Sequence, residues 1–198
     1  MNNKLKQSLI AEAQQYLKEN PQDLLHDFNH HARVLSLAKE IVVSEKLENT
    51  ANIDVLELIC WWHDVKVPTI KHDIDRRIAE ETAEYVTEKL PTEIQETVFD
   101  SLKNHEFGSK PKYLEGKILQ DADKLETLSL ERAESIIPMV KTGQKTKQEM
   151  LKIFYMFTEK WLPVMLERYH FTFSKQYHKQ NLASILTKFQ IIKEELEK

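Results

Sequence analysis

Apolar residues recur three and four positions apart along almost the whole chain, and no stretch alternates apolar with polar for a useful strand length. That pattern predicts an all-α fold, a helical bundle. Leu5, Leu9, Ala13, Tyr16 and Leu17 mark a first helix, closed by "ENPQD". Val34, Leu37, Ala38 and Ile41 mark a second, running out of "HDFNHHAR". Asp54 reads as the N-cap of a third, which carries Leu58, Ile59 and Trp62 towards His63 before Pro68 stops it. "DIDRRIAEETAEYVTEKL" reads as a fourth, with Ile78, Ala79, Thr82, Ala83 and Val86 on one side. "PTEIQETVFDSLKNH" reads as a fifth, with Pro91 as its first helical residue. "EFGSKPKYLEG" then interrupts the pattern, and "KILQDADKLETL" resumes it. Beyond this, helical segments alternate with breaks at "KTGQKTK", "LP" and "HFTFSKQYH".

Glycine is scarce, and the scarcity excludes whole classes of function. With only Gly108, Gly116 and Gly143, the chain can build neither a dinucleotide-binding G-x-G-x-x-G turn nor a Walker A loop. Any phosphate bound here must be held by metal or side chains. The net charge of -4, with basic residues scattered along the chain, offers no electrostatic footprint for nucleic acid. Cys60 is the sole cysteine and sits in an apolar run, which excludes a disulfide framework and a cysteine-based zinc site and leaves a small buried hydrophobe. No stretch approaches the roughly 18 apolar residues of a membrane span. The first twenty residues are amphipathic, without a signal-peptide core, so the expected location is cytoplasmic.

The 198 residues suit one large domain, and no linker or composition shift divides them. The expectation is a single helical domain over 1–198, with a site-bearing core at about 20–130 and helices at about 146–198 packing on it. That last part is rich in aromatics: Phe154, Tyr155, Phe157, Trp161, Tyr169, Phe171 and Phe173. Helical spacing reads them as core. The sharper reading is a lid over the site or a homodimer surface.

The chemistry-bearing feature is "LELICWWHDVKVP", an apolar run that ends abruptly in His63-Asp64. A core helix has no need of that pair, whereas a metal site has. Six of the eight histidines precede residue 106: His26, His30, His31, His63, His72 and His105. Together with Asp64, Asp121 and Asp123 they supply imidazole nitrogen and carboxylate oxygen, a donor mixture suited to Mn, Fe, Zn, Co or Ni. Adjacent residues on a helix point about 100° apart, so His63 and Asp64 reach one ion only if it lies beyond the helix end. His30 from a second helix and an aspartate from a third would complete the ligands while leaving positions open, as a catalytic metal requires. His31, turned away from His30 by the same 100°, is expected at the surface.

Three segments, "HDFNHHARVLSLAKEI", "CWWHDV" and "EGKILQDADKLETL", resemble the HD-domain metal-dependent phosphohydrolases in order, helical context and flanking residues. "H-x-x-R-V" from His30 and "DADKL" from Asp121 are similar to a small bacterial branch of uncharacterised HD hydrolases. The resemblance covers about residues 20–130, and more weakly the aromatic tail. It implies a divalent metal (Mn, Mg, Co, Ni, Zn or Fe) held by His30, His63, Asp64 and Asp123. It also implies a small phosphorylated substrate, a nucleotide before a sugar phosphate, with no nucleic acid or membrane partner. Asp123 is preferred over Asp121 because the acid between Ala122 and Lys124 matches the family's metal-binding position, which leaves Asp121 to orient a histidine. Asp64 would also steer the attacking water, while His26, His105 or Lys66 would bind phosphate or protonate the leaving oxygen. Arg33 reads as an ion-pair partner within the motif.

Two other readings use the same residues. Some HD proteins hold two irons and oxidise small substrates with dioxygen, and His72 and His105 would then be ligands of the second metal. A catalytically silent nucleotide-binding module is the third, although every expected ligand type is present.

Overall fold

In a computed structural model, which describes residues 1–20, 23–67 and 75–198, the chain is all-α, with no β-strand among the described residues. Helix α1 (Asn3–Glu19) is capped by the Asn2 side chain on the Lys4 amide at 2.9 Å and buries Leu9, Ile10, Ala13 and Leu17. Helix α2 (Phe28–Ser44) is capped by Asp27, whose carboxylate accepts from the His30 amide at 2.9 Å. Helix α3 (Ile53–Trp62) is the central post. Val55, Leu56 and every residue from Leu58 to Trp62 are buried, as expected for a helix apolar on all sides. Trp62 fastens it to α1 by donating Nε1–H to the Leu9 carbonyl at 3.1 Å.

The cap of α3 is not Asp54. Asn52 accepts from the Val55 amide at 3.2 Å, while Asp54 lies in the first turn and pairs with Lys6 at 2.6 Å. Near that end, an acid serves the helix dipole as well as a cap would. Helices α4 (Asp75–Thr87) and α5 (Thr92–Lys103) pack against each other, with Pro91 as the residue that caps α5 rather than the first inside it. Pro68 and His72 lie outside the described residues.

Helix α6 (Leu114–Glu126) starts three residues ahead of the expected resumption at Lys117 and packs most extensively on α2. Gly116 lets α6 approach α5: a Cβ there would stand 2.9 Å from Ser101 Oγ. Short helices α7 (Leu130–Glu134) and α8 (Ile136–Lys141) lead to α9 (Lys147–Met156), which opens with a reciprocal capping box between Thr146 and Glu149. One π-helical turn, Phe157–Trp161, precedes α10 (Leu162–Arg168). Pro163 has no N–H for the Glu159 carbonyl, a local reason for the ladder to slip.

The long helix α11 (Thr172–Glu197) contains most of the expected break at "HFTFSKQYH". Its start is nucleated from afar. The Asp121 carboxylate on α6 accepts from the His170 and Phe171 amides at 3.0–3.1 Å, and Glu45 accepts from the Phe173 amide at 2.6 Å. These long-range caps outweigh the weak helix propensity of Phe and Thr. The aromatic tail divides. Phe154, Phe157 and Tyr169 are buried, whereas Tyr155 and Trp161 are exposed. A continuous apolar core runs from Leu9 to Leu196 through α1, α2, α3, α5, α6 and the tail helices. Among the described residues no helix is long and apolar enough to cross a membrane.

Candidate metal centre and cleft

Three helix features set the site: the first turn of α2, the end of α3 and the last turns of α6. His30 is the third residue of α2 and turns inward because Asp27 stops that helix where it does. His63 terminates α3, its amide still bonded to the Ile59 carbonyl at 3.0 Å, and Asp64 follows beyond the last turn. Asp123 comes from α6. His30, His63, Asp64 and Asp123 each present one donor atom, and these four atoms all lie within 4.8 Å of one another.

Both imidazoles turn Nε2 towards the carboxylates. His63 Nδ1–H donates to the Cys60 carbonyl at 3.0 Å, and His30 Nδ1–H donates to Glu126 at 3.0 Å. Both Nε2 atoms face inward, 3.1 Å apart; burial works to lower the pKa of His30, but Asp64 and Glu126 raise it, so without a metal a proton can sit where the ion would. His63 Nε2 is also 3.4 Å from Asp64 Oδ2 and 4.0 Å from Asp123 Oδ1, and His30 Nε2 is 3.5 and 3.6 Å from the same oxygens. Ligands about 2.1 Å from one ion stand roughly 3.0–3.4 Å apart, so these residues need only small adjustments to share one. Two imidazoles and two carboxylates are a donor set for a divalent metal ion, and the group can hold one.

The charges are arranged in the same sense. Burial pushes His63 down to about 4, so it is a neutral ligand at neutral pH. Burial alone would raise the carboxyl of Asp64, but His63, His105 and His30 outweigh it and hold the group well below its usual range. Asp123 is lowered likewise, burial being overcome by Lys124, with which it pairs, and by His63.

Behind His30 lies a group that sequence reasoning missed. Glu126, fully buried, accepts from His30, from Arg33 at 2.7–2.8 Å and from Arg132 at 2.6 Å. Burial works to raise its carboxyl, but Arg132 and His30 hold it at about 2. Glu126 fixes the tautomer and the rotation of His30, the task of an outer partner to a metal-binding imidazole. The signal was present, because Glu126 stands three residues after Asp123 on one helix face. Arg132 carried no signal, since the link from Ser129 to α7 decides where it points.

His31 is buried completely, contrary to the expected surface position. It lies under the first turn of α2, where α3 packs: its ring is 4.5 Å from that of His63 and parallel to Trp61, and Nδ1–H shares the Cys60 carbonyl at 3.1 Å. Burial pushes it far below its usual pKa, so it stays neutral.

Asp121 is not beside a site histidine. Two residues from Asp123 is about 200° around the helix, so it faces α11 and caps it. Burial raises its carboxyl to about 6. His105 donates Nε2–H to Asp64 at 3.1 Å and Nδ1–H to the Leu102 carbonyl at 2.6 Å, which places it on Asp64 rather than within the four-residue group. Its loop is held by Gln120, whose amide donates to the carbonyls of Asn104, Glu106 and Ser109.

A cleft of about 370 Å³ opens on the cluster. His26, His63, Asp64, His105, Glu106, Asp123, Lys124, Thr127 and Arg132 form its polar side, and Phe107, Phe157, Trp161 and Met165 are among its apolar residues. His26 precedes α2; its Nδ1 binds Asp23 at 2.9 Å and its Nε2 lies 3.4 Å from Arg132. Lys66 is half-buried, and among the described residues the lysine lining the cleft is Lys124.

Residues 27–128 match the family model described as HD domain. No curated protein matches the chain. Among solved structures, a Lactobacillus plantarum protein is similar over 100% of both chains, with 17% identity and a TM-score of 0.72. Bacillus subtilis YpgQ, solved in complex with ADP, is similar over 96% of each chain, with 17% identity and a TM-score of 0.63. A protein from an uncultured Thermotogales bacterium, described as a predicted HD superfamily hydrolase, is 20% identical over 93% of this chain and 91% of its own, with a TM-score of 0.59. At such identities the likeness is one of fold.

Proposed function

Because this chain belongs to the HD domain family, we propose that it is a metal-dependent phosphohydrolase that cleaves a phosphate ester or anhydride of a nucleotide. The observation that supports the reading best is the group of two inward-facing imidazole Nε2 atoms and two carboxylates, on a cleft that Lys124 and Arg132 also line. His30, His63, Asp64 and Asp123 would hold a divalent ion, which would supply Lewis acidity and lower the pKa of a bound water. The remaining work falls to side chains. Asp64 binds and also orients the attacking water, with His105 fixing its other oxygen. Lys124, Arg132 and His26 face the cleft and neutralise the phosphoryl oxygens as charge develops. His26, on the cleft edge, protonates the leaving oxygen. In this reading Lys124 takes the phosphate-facing position first assigned to Lys66. The ADP complex of YpgQ, a protein of similar fold, supports a nucleotide as substrate.

The test is release of phosphate or pyrophosphate from a nucleotide panel by the manganese-loaded protein, beside Asp64→Ala. Release that the variant loses is the expected result. A metal-loaded protein that hydrolyses no phosphorylated metabolite would refute the reading. The di-iron reading requires a second metal, and among the described residues the group able to hold an ion comprises only the four residues named.

A further inference from the structure

The cleft has a second wall that the chemistry of phosphate transfer does not use. Trp161 lines it and is 44% exposed, whereas the other two tryptophans, Trp61 and Trp62, are 6% and 0% exposed. Unlike the other exposed large hydrophobics, Val43, Tyr155 and Ile191 among them, Trp161 is exposed on the same cleft as the metal group, where a ligand can cover its ring.

The ring is held in place. Phe157 meets it edge-on, with centroids 6.4 Å apart and planes at 79°, and Phe107 stands 6.2 Å away, tilted by 34°. Phe107 is itself covered by the Arg168 guanidinium, 4.8 Å from its centroid. Phe157 is in turn anchored against Phe189 on α11, with centroids 5.3 Å apart. The backbone there is the π-helical turn Phe157–Trp161, an irregularity frequent at functional sites. Phe157 and Trp161 are its first and last residues, and both line the cleft.

We propose that Trp161, buttressed by Phe107 and Phe157, is the platform on which the nucleobase of the substrate stacks while its phosphates reach the metal centre. This deepens the phosphohydrolase reading and rests on it. An apolar aromatic wall and a polar wall that bears the metal group, Lys124 and Arg132, sharing a cleft of about 370 Å³, fit a ligand with one planar apolar end and one metal-binding anionic end. A sugar phosphate would leave the ring in water. Stacking is tolerant of base identity because every base has a π-face, so the platform selects for the presence of a base and only weakly among bases.

The experiment compares two probes with a non-cleavable P–C–P bridge at saturating manganese: adenosine 5′-(α,β-methylene)diphosphate, checked for an intact 5′-ester after each titration, and methylenediphosphonate, which carries the same phosphonate pair without nucleoside. Binding is measured by calorimetry and tryptophan fluorescence on wild type, Trp161→Phe and Trp161→Ala, with circular dichroism to confirm the fold. The expected result is quenching by the nucleotide analogue in wild type only. Its Kd should rise about tenfold to a hundredfold in Trp161→Ala and recover largely in Trp161→Phe, with the Kd of methylenediphosphonate changed less than twofold. Equal losses for both probes, or no loss for either, overturn the platform while leaving the phosphohydrolase reading standing. Failure of both probes to bind metal-loaded wild type overturns both.

Discussion

Replacing Glu126 by Gln removes one charge from a fully buried position and leaves the volume nearly unchanged, so its effects report on electrostatics rather than on packing. The carboxylate accepts from His30, Arg33 and Arg132, all within 3.0 Å. Those partners hold its pKa at about 2 against an ordinary 4.5. At about 1.4 kcal/mol per unit the ionised form is favoured by roughly 3 kcal/mol over a neutral one. That agrees with the roughly 3–5 kcal/mol lost when one partner of a buried ion pair is removed. The glutamine also turns an N–H₂ group towards one of three donors, which adds to the loss. The metal-free variant should therefore unfold about 3 kcal/mol more easily in urea, with an unchanged m-value. His30, no longer held at Nδ1, should bind manganese about tenfold to a hundredfold more weakly by calorimetry. A stability loss under 1 kcal/mol with unaltered manganese affinity would refute the argument that Glu126 positions this imidazole.

Asp64→Ala should lose manganese affinity by at least about a hundredfold with its helical circular dichroism intact, since Asp64 lies past the end of α3; collapse of helicity would instead mark it as structural. Asp121→Ala and Asp123→Ala should separate cleanly: the former costs about 1–3 kcal/mol in denaturation by uncapping α11 and leaves metal affinity within threefold, the latter weakens metal binding strongly. Manganese at a hundred times its Kd should stabilise the protein by about 2.7 kcal/mol, read as a rise in Tm that a chelator reverses and Asp64→Ala abolishes. Burial would raise Asp23, but His26 and the Leu25 and His26 amides hold it at about 2, below its ordinary 3.8. A depressed pKa contributes stability present above pH 3.8 and lost as pH falls through about 2. Asp23→Asn should therefore cost about 2 kcal/mol at pH 6 and progressively less towards pH 2, and a gap that stays constant with pH would contradict this.

Helix existence and the ligand types were legible in the residues because both depend on local order: a 3.6-residue period, and an apolar run ending in His63-Asp64. The same locality explains the failures. Asp54 looked like a cap because its side chain is of a capping type, but Asn52 reaches the Val55 amide first and Asp54 is drawn to Lys6 on α1. His31 looked exposed because rotation about one helix says nothing of what covers it, and α3 covers it. "HFTFSKQYH" looked like a break because its cap donors are satisfied by Asp121 and Glu45, some 49 and 128 positions away.

The sequence by itself therefore determined an all-α chain whose first two thirds carry imidazoles and carboxylates in the order an HD site needs. Tertiary structure alone decided that Asp121 faces α11 rather than a site histidine, that Glu126 and Arg132 lie behind His30, and that Trp161 stands open on the cleft. The physical reason is directional. A helix repeats its faces every 3.6 residues whatever surrounds it, but which face meets the site depends on the packing of α2, α3 and α6.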